Sequence, residues 1–458
     1  MLVPAAIQPA RPLPQHDESS YRSFLALKRN PLSWLMSLSM RYPIVEVRLG
    51  RRRLVVVHQP EHVQHILIKN ARNYTKQTRG YQMIRKVLGN GLVTSEGDFW
   101  MRQRRIAQPA FHRKRLAMLG EGMVKATQEM VEGWGEAVAR REVVEVNEAM
   151  MGLTLRIVGE ALLGVDVTGA SSQVGDAVEE VLEFVAVQTR SLPLTDALPT
   201  PSKMRFRRSK AVLDQVVQGI IDERRADDRD RGDLLSMFMA VQDEETGERM
   251  TDGQLHDEVM TMFLAGHETT AMTLTWTLML LSQHPAERRR VVAELAEVLE
   301  GRAPTIDDLG QLPFLERVIK ESMRLYPPVP MVARTVVDED EIDGWRLNKD
   351  HYVVINTWAT HRSPEYWDNP EGFDPDRFLP ERFDAVPKLA YSPFSAGQRK
   401  CIGDNFAMME ARLVLATLLQ QVELDLAVGQ TIVPEAHVTL RPATGLKMRL
   451  GPAPRFGR

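Results

Sequence analysis

Phe394-Ser395-Ala396-Gly397-Gln398-Arg399-Lys400-Cys401-Ile402-Gly403 carries the one cysteine of a 458-residue chain. Cys401 lies between a glycine-containing loop and an apolar pattern of helical spacing, Phe406, Met409, Leu413, Ala416 and Leu419. A helix is therefore predicted over 401–419. A helix N-terminus presents unpaired N–H groups and the positive end of the peptide dipoles, and both favour thiolate over thiol. Gly397 and Gly403 permit tight turns and close approach of backbone to a flat ligand. Arg399, two residues before the sulfur, is placed to pair with an acidic group on such a ligand. A lone cysteine is most often a small buried hydrophobe. The pattern Phe-x-x-Gly-x-Arg-x-Cys-x-Gly is more specific, because Phe394, Gly397, Arg399, Cys401 and Gly403 must all be in place at once.

Outward from this stretch the composition is that of an ordinary globular protein. Lys and Arg number 58 against 61 Asp and Glu, a net charge of −3. No bulk charge argues for nucleic acid. A single cysteine excludes an intramolecular disulfide and fits a reducing compartment, so a cytoplasmic location is expected. Met1–Ser20, with Pro4, Pro9, Pro12 and Pro14, lacks a secretory pattern and reads as a flexible lead-in. Residues 21–458 read as one domain with no internal repeat. Phe24–Met40 suits a membrane surface but is too interrupted to cross one. The longest apolar run, Val259–Leu281, holds His267 and Glu268 at its middle, so it reads as a buried helix and not a membrane anchor.

The pattern along the chain is mostly helical, with small β pieces at both ends. Ile44–Leu49 and Arg53–Val57 form a predicted hairpin around Gly50. Thr251-Asp252 caps a long helix that ends at His284, before Pro285. Further helices are predicted over 287–300 and 312–326, extended segments near 335–337 and 352–355, and a closing hairpin over 438–450.

Ala265-Gly266-His267-Glu268-Thr269-Thr270 interrupts the long helix with polar groups. A zinc-protease reading of His267-Glu268 needs a histidine at 271, and that residue is Ala271. A buried glutamate is ordinarily a paired structural charge, and a helical threonine ordinarily bonds back to a carbonyl. Glu321-Ser322-Met323-Arg324 places opposite charges three apart on one helix face. Glu287-Arg288-Arg289-Arg290 repeats that spacing and reads as a surface pair of little energetic value. Phe373-Asp374-Pro375-Asp376-Arg377-Phe378 follows, and Trp100 and Arg104 lie one helical turn apart.

Taken in order, these stretches resemble the cytochrome P-450 family of haem-thiolate monooxygenases, from about Pro31 to Leu450. The cysteine stretch resembles the family's haem-binding signature, and Ala265–Thr270 its oxygen-activation motif. Glu321, Arg324 and Arg377 resemble its structural charge triad. The resemblance implies a mainly α fold with small β-sheets, with haem b (iron protoporphyrin IX) between the long helix and the cysteine-bearing helix. It implies Cys401 as the axial iron ligand. Phe394, Gly397, Arg399 and Gly403 then shape the loop, and Ala265 and Gly266 leave room for dioxygen. Thr269 and Glu268 are implied in hydrogen-bonding dioxygen and delivering protons. Trp100, Arg104, Arg399 and Arg334 are implied at the haem propionates.

The implied reaction inserts one atom of dioxygen into a hydrophobic substrate: a fatty acid, terpenoid or steroid. By the same resemblance the pocket walls fall near 81–92, 183–198, 263–265, 330–332 and 438–440. No Gly-x-Gly-x-x-Gly loop is present. The electrons are therefore expected from a separate ferredoxin or flavodoxin with its reductase, docking on Arg102, Arg104, Arg105, Arg113, Lys114 and Arg115. The alternatives are a peroxygenase driven by hydrogen peroxide and a non-catalytic haem protein that binds a gas. Retention of Glu268 and Thr269 weighs against the first.

Overall fold

The computed structural model describes residues 10–112, 116–164, 171–190, 200–227, 231, 233–240, 242, 247 and 249–453. The helices of nine or more residues are α1 (Ser20–Arg29), α2 (Pro31–Ser39), α3 (Arg79–Leu88), α4 (Gly97–Ala107), α5 (Gly120–Gly133), α6 (Val146–Leu163), α7 (Ser171–Arg190), α8 (Pro201–Ala226), α9 (Asp252–Gln283), α10 (Pro285–Leu299), α11 (Pro313–Leu325) and α12 (Asp404–Leu419). The strands are β1 (Arg11–Pro12), β2 (Ile44–Leu49), β3 (Arg52–Val57), β4 (Tyr74–Thr75), β5 (Val143–Glu145), β6 (Val332–Val336), β7 (Asp340–Ile342), β8 (Trp345–Leu347), β9 (Tyr352–Ile355), β10 (Val422–Leu426), β11 (Pro434–Ala436), β12 (Leu440–Pro442) and β13 (Lys447–Pro452). The chain forms two compact units. One comprises Met1–Tyr81, Pro330–Glu371 and Ala385–Cys401; the other comprises Gln82–Val329, Gly372–Asp384 and Ile402–Arg458.

The first unit is built on a five-stranded sheet in the order β2-β3-β9-β6-β4. Gly50, at φ +64, turns β2 back on β3, and Ile44 pairs with Val57. Val45, Val47, Leu54, Val56 and Val354 bury one face against Trp34, Leu35 and Leu38 of α2. Ile44, Val55, Val57, Val353 and Ile355 bury the other face with Ile66, Leu67 and Tyr74. A strand buried on both faces needs an unbroken run of β-branched residues, which is how β3 reads. The stretch expected to be a flexible lead-in is partly held here. Arg11–Pro12 pairs in parallel with β8, Arg11 lies over the Trp345 ring, and Leu13 is buried.

The second unit is organised around α9. A capping box starts it: Gln254 N–H donates to Thr251 Oγ1 at 3.3 Å, and Thr251 N–H donates to Gln254 Oε1 at 2.8 Å. The fixed φ of Pro285 suits the first turn of α10, and α9 ends at His284. The expectation for this helix and the two after it matches the structure to within about two residues.

Two expectations are corrected. Cys401 is not helical: α12 begins at Asp404 after Gly403. The Cys401 N–H donates to Phe394 O at 2.9 Å, closing a loop instead of starting a helical turn. The stretch 438–450 is not one hairpin. β12 folds back on β11, and β13 pairs antiparallel with β10, Leu450 opposite Leu424. Met448 and Leu450 alternate inward with Val422 and Leu424, so β13 buries its apolar face best on β10.

Two buried histidines make stability sensitive to acid. His58, in the first unit, has its pKa lowered from 6.5 to about 4, by burial first and by neighbouring His62 second. His267 on α9 is likewise lowered to about 4, chiefly by burial. Above pH 6.5 neither the folded nor the unfolded histidine is charged, and no stability is lost. As pH falls, the unfolded chain takes up protons that the folded chain refuses until about pH 4. Stability is therefore lost across that window, by up to about 3 kcal/mol per histidine. Thermal midpoints measured from about pH 7 to about pH 4.5 should fall steeply, and His58→Gln should flatten the fall. An unaltered slope in that variant would assign the acid sensitivity to other groups.

Candidate active site

On α9 every residue from Glu258 to Leu281 is buried except Ala265, Gly266 and Thr269. These three share one helix face, because positions one and four apart lie together at 3.6 residues per turn. The opening is thus lined by two small residues and a hydroxyl. Gly266 also lets α6 come close: a Cβ there would meet Val158 Cγ2 at 3.2 Å. Thr269 Oγ1 donates to Ala265 O at 2.8 Å, and Thr270 Oγ1 to Gly266 O at 3.1 Å. Both threonines thus bond back to the preceding turn.

Glu268 is buried behind the opening and is paired. Thr439 Oγ1 and Arg441 Nε each lie 2.5 Å from its Oε1, and Arg441 Nη2 reaches the same oxygen. Neither Thr439 nor Arg441 was singled out as a partner for Glu268. The available signal was their alternation, which puts both on one face of an extended segment. Nothing in the sequence points that face at a residue 173 positions away. Glu410 on α12 was also missed. It is fully buried, and burial pushes its carboxyl well above the usual range, with the nearby Thr270 hydroxyl opposing the shift.

The structure brings Glu321, Arg324 and Arg377 together. Arg324 Nε donates to Glu321 Oε2 at 2.7 Å and its Nη2 to Oε1 at 2.8 Å. Arg377 Nε reaches Oε1 at 3.2 Å, and the Asp374 N–H reaches it at 2.9 Å. All three charged side chains are buried. The second copy of the spacing does not pair within itself. Arg290 bonds Asp376 at 3.0 Å and lies over the Phe314 ring. On α4, Trp100 is buried and Arg104 half-buried, as are Arg102 and Arg105. Arg113, Lys114 and Arg115, and residues 191–198 of the expected pocket wall, lie outside the described residues.

The cysteine loop, in the first unit, is shaped by Gly397. Its φ is +68, and a Cβ there would lie 2.1 Å from Leu67 O, so only glycine fits. Phe394 and Arg399 are half-buried, and Cys401 is exposed. Arg334, on β6, is 3% exposed. It donates to Ala333 O at 2.8 Å and to the Tyr81 hydroxyl at 3.4 Å. Among the described residues it has no carboxylate partner. A buried guanidinium without a counterion is costly, and an acidic group on a ligand is what it lacks. An exposed thiol on a glycine-shaped loop, with a cation awaiting an anion in the same unit, fits a haem with its propionates.

Thiol loop, open helix and mainly helical fold define the haem-thiolate oxygenase class. Residues 21–448 match cytochrome P-450, and the chain belongs to that family. It is a monooxygenase acting with dioxygen on a hydrophobic substrate, and haem b is its cofactor. It is 39% identical to cyclooctatin synthase of Streptomyces melanosporofaciens, covering 94% of this chain and 93% of that one. Pentalenene oxygenase of Streptomyces avermitilis is 36% identical, with 93% of each chain covered. The crystal structure of the cytochrome P-450DA haem domain superposes with a TM-score of 0.90 at 28% identity, over 98% of this chain and 100% of that one. Among the described residues no helix is long and apolar enough to cross a membrane.

Proposed function

We propose that this enzyme oxygenates a terpenoid and that the Cys401 thiolate ligates the haem iron. The observation that carries the reading is the opening in α9, where an otherwise closed helix presents Ala265, Gly266 and the Thr269 hydroxyl directly after a buried carboxylate. When bound, haem supplies the reductive activation of dioxygen and the transfer of one of its atoms to the substrate. Ala265 and Gly266 leave the space that dioxygen and substrate need. Thr269 holds a proton at Oγ1, and Glu268 replaces it from water. Arg334, Arg399, Arg104 and Trp100 hold the propionates, and Phe394, Gly397 and Gly403 set the backbone around the thiolate. Glu321, Arg324 and Arg377 serve the fold.

Of the three substrate classes, the terpenoid is favoured because oxygenation of pentalenene is the named reaction of a relative that aligns over nearly its whole length. Electrons come from a ferredoxin or flavodoxin and its reductase in the cytoplasm. The other arginines of α4, Arg102 and Arg105, support an acidic carrier.

Turnover of a polycyclic terpenoid olefin with a surrogate redox chain tests the reading. Wild-type protein should yield a product heavier by one oxygen atom. Thr269→Ala should still consume dioxygen, but with product falling on the order of 10- to 100-fold and peroxide rising in its place. Conversion of fatty acids or steroids but not terpenoids would overturn the substrate assignment. Full product yield from Thr269→Ala would overturn the role of the hydroxyl.

A further inference from the structure

We infer that Arg441 is a positioning residue for Glu268, clamping one carboxylate oxygen with Thr439 so that the other is left to exchange protons. The inference rests on the proposed role of Glu268 in proton delivery. Two hydrogen bonds converge on the acid, from Thr439 Oγ1 and Arg441 Nε, and Arg441 Nη2 makes a close ion-pair contact beside them. All three address Oε1, and none addresses Oε2. A carboxylate that only needed neutralising is normally met by an arginine in the bidentate arrangement, one nitrogen on each oxygen. That is how Arg324 meets Glu321 in the same unit. The contrast separates a charge locked on both oxygens from one held on a single oxygen.

The clamp is itself held firmly. Between its two members, Leu440 accepts a hydrogen bond from Trp276 Nε1 at 2.9 Å and donates its N–H to Pro328 O at 2.9 Å. Trp276 lies two helical turns beyond Glu268 on α9, is buried, and stacks on Tyr326 at 4.3 Å. β12, which carries Arg441, pairs with β11, placing Glu435 opposite Arg441. The strand that grips the acid is therefore pinned to the helix that carries it, and the carboxylate cannot swing without breaking the clamp. The Arg441 side chain is 17% exposed against 3% for Glu268, so the arginine sits on the water side of the acid. A proton taken from water would be carried on Oε2 and passed inward while Oε1 stays fixed. The balance is one proton in from water and one proton out toward Thr269, with no change of charge over the cycle.

The test uses the full-length, haem-loaded enzyme with Arg441→Gln, Arg441→Lys and Glu268→Gln. Arg441→Gln should lower product per dioxygen consumed at least fivefold and enlarge the solvent deuterium isotope effect on turnover. The reduced carbon monoxide spectrum should be unchanged. Arg441→Lys, which restores the cation, should recover most of the yield. A hairpin that merely lost packing would not be rescued by lysine and would not move the isotope effect. If Arg441→Gln matches wild type in yield and isotope effect while Glu268→Gln is impaired, the clamp is overturned and the acid's role stands. If Glu268→Gln is itself unimpaired, the proton-delivery reading fails, and the clamp falls with it.

Discussion

Cys401→Ser is expected to lose the strongly red-shifted Soret band that the proposed thiolate ligation predicts for the reduced wild type with carbon monoxide, and with it all monooxygenase turnover. Cys401 is the one thiol of the chain, so no other side chain can supply a thiolate. The substitution is close to isosteric at an exposed side chain, and the loop is held by backbone. The Cys401 N–H donates to Phe394 O at 2.9 Å, and Gly397 packs against Leu67 O. None of this changes with serine, so folding and haem content should be preserved to within about 0.5 kcal/mol. Under the proposed ligation, what changes is the electron density donated to iron, on which cleavage of the dioxygen bond depends. A red-shifted band in the serine variant would show that another group ligates the iron. A conventional Soret position in the wild type would assign a protonated thiol, and oxygen activation would lose its basis.

The parts of this site visible in the sequence are those whose causes are local. α9 announces itself through Thr251, Gln254 and Pro285, because a cap and a stop act within one turn of the backbone they govern. The cysteine loop is legible because a left-handed turn and a close backbone approach at Gly397 both demand glycine. The Glu321–Arg324 pair is legible because residues three apart on a helix share a face and can meet. The failures have the opposite cause. Whether Arg290 would pair with Glu287 or with Asp376 depended on a loop 86 residues away, and the loop won. The start of α12 shifted to Asp404 because a hydrogen bond back to Phe394 competed with the first helical turn. β13 chose β10 over its neighbour in sequence because that pairing buries Met448 and Leu450. The pairing of Thr439 and Arg441 with Glu268 was not legible because alternation reveals a face but not what the face meets.

Arg324→Ala is expected to be the most destabilising single change among the site and core charges, at about 3–5 kcal/mol. Glu321 and Arg324 are both fully excluded from water, and the loss of one leaves the other's charge in a medium that cannot solvate it. Arg324 also donates to Gly372 O at 2.9 Å, so its removal strands a carbonyl as well. Arg377→Ala should cost less, because Glu321 keeps both nitrogens of Arg324 and the Asp374 N–H. Arg290→Ala, at a half-exposed pair, should cost under about 1 kcal/mol. Joint replacement of Glu321 and Arg324 by apolar residues would ordinarily recover much of the loss, since a buried pair gains little net stability over a packed hydrophobic one. Here it should not, because Arg377 and the Asp374 N–H would both lose their acceptor. Urea midpoints of the three single variants and the double variant decide the matter. A ranking with Arg377→Ala above Arg324→Ala would place the centre of the network on the loop instead of α11. Recovery in the double variant would reduce the triad to an isolated pair.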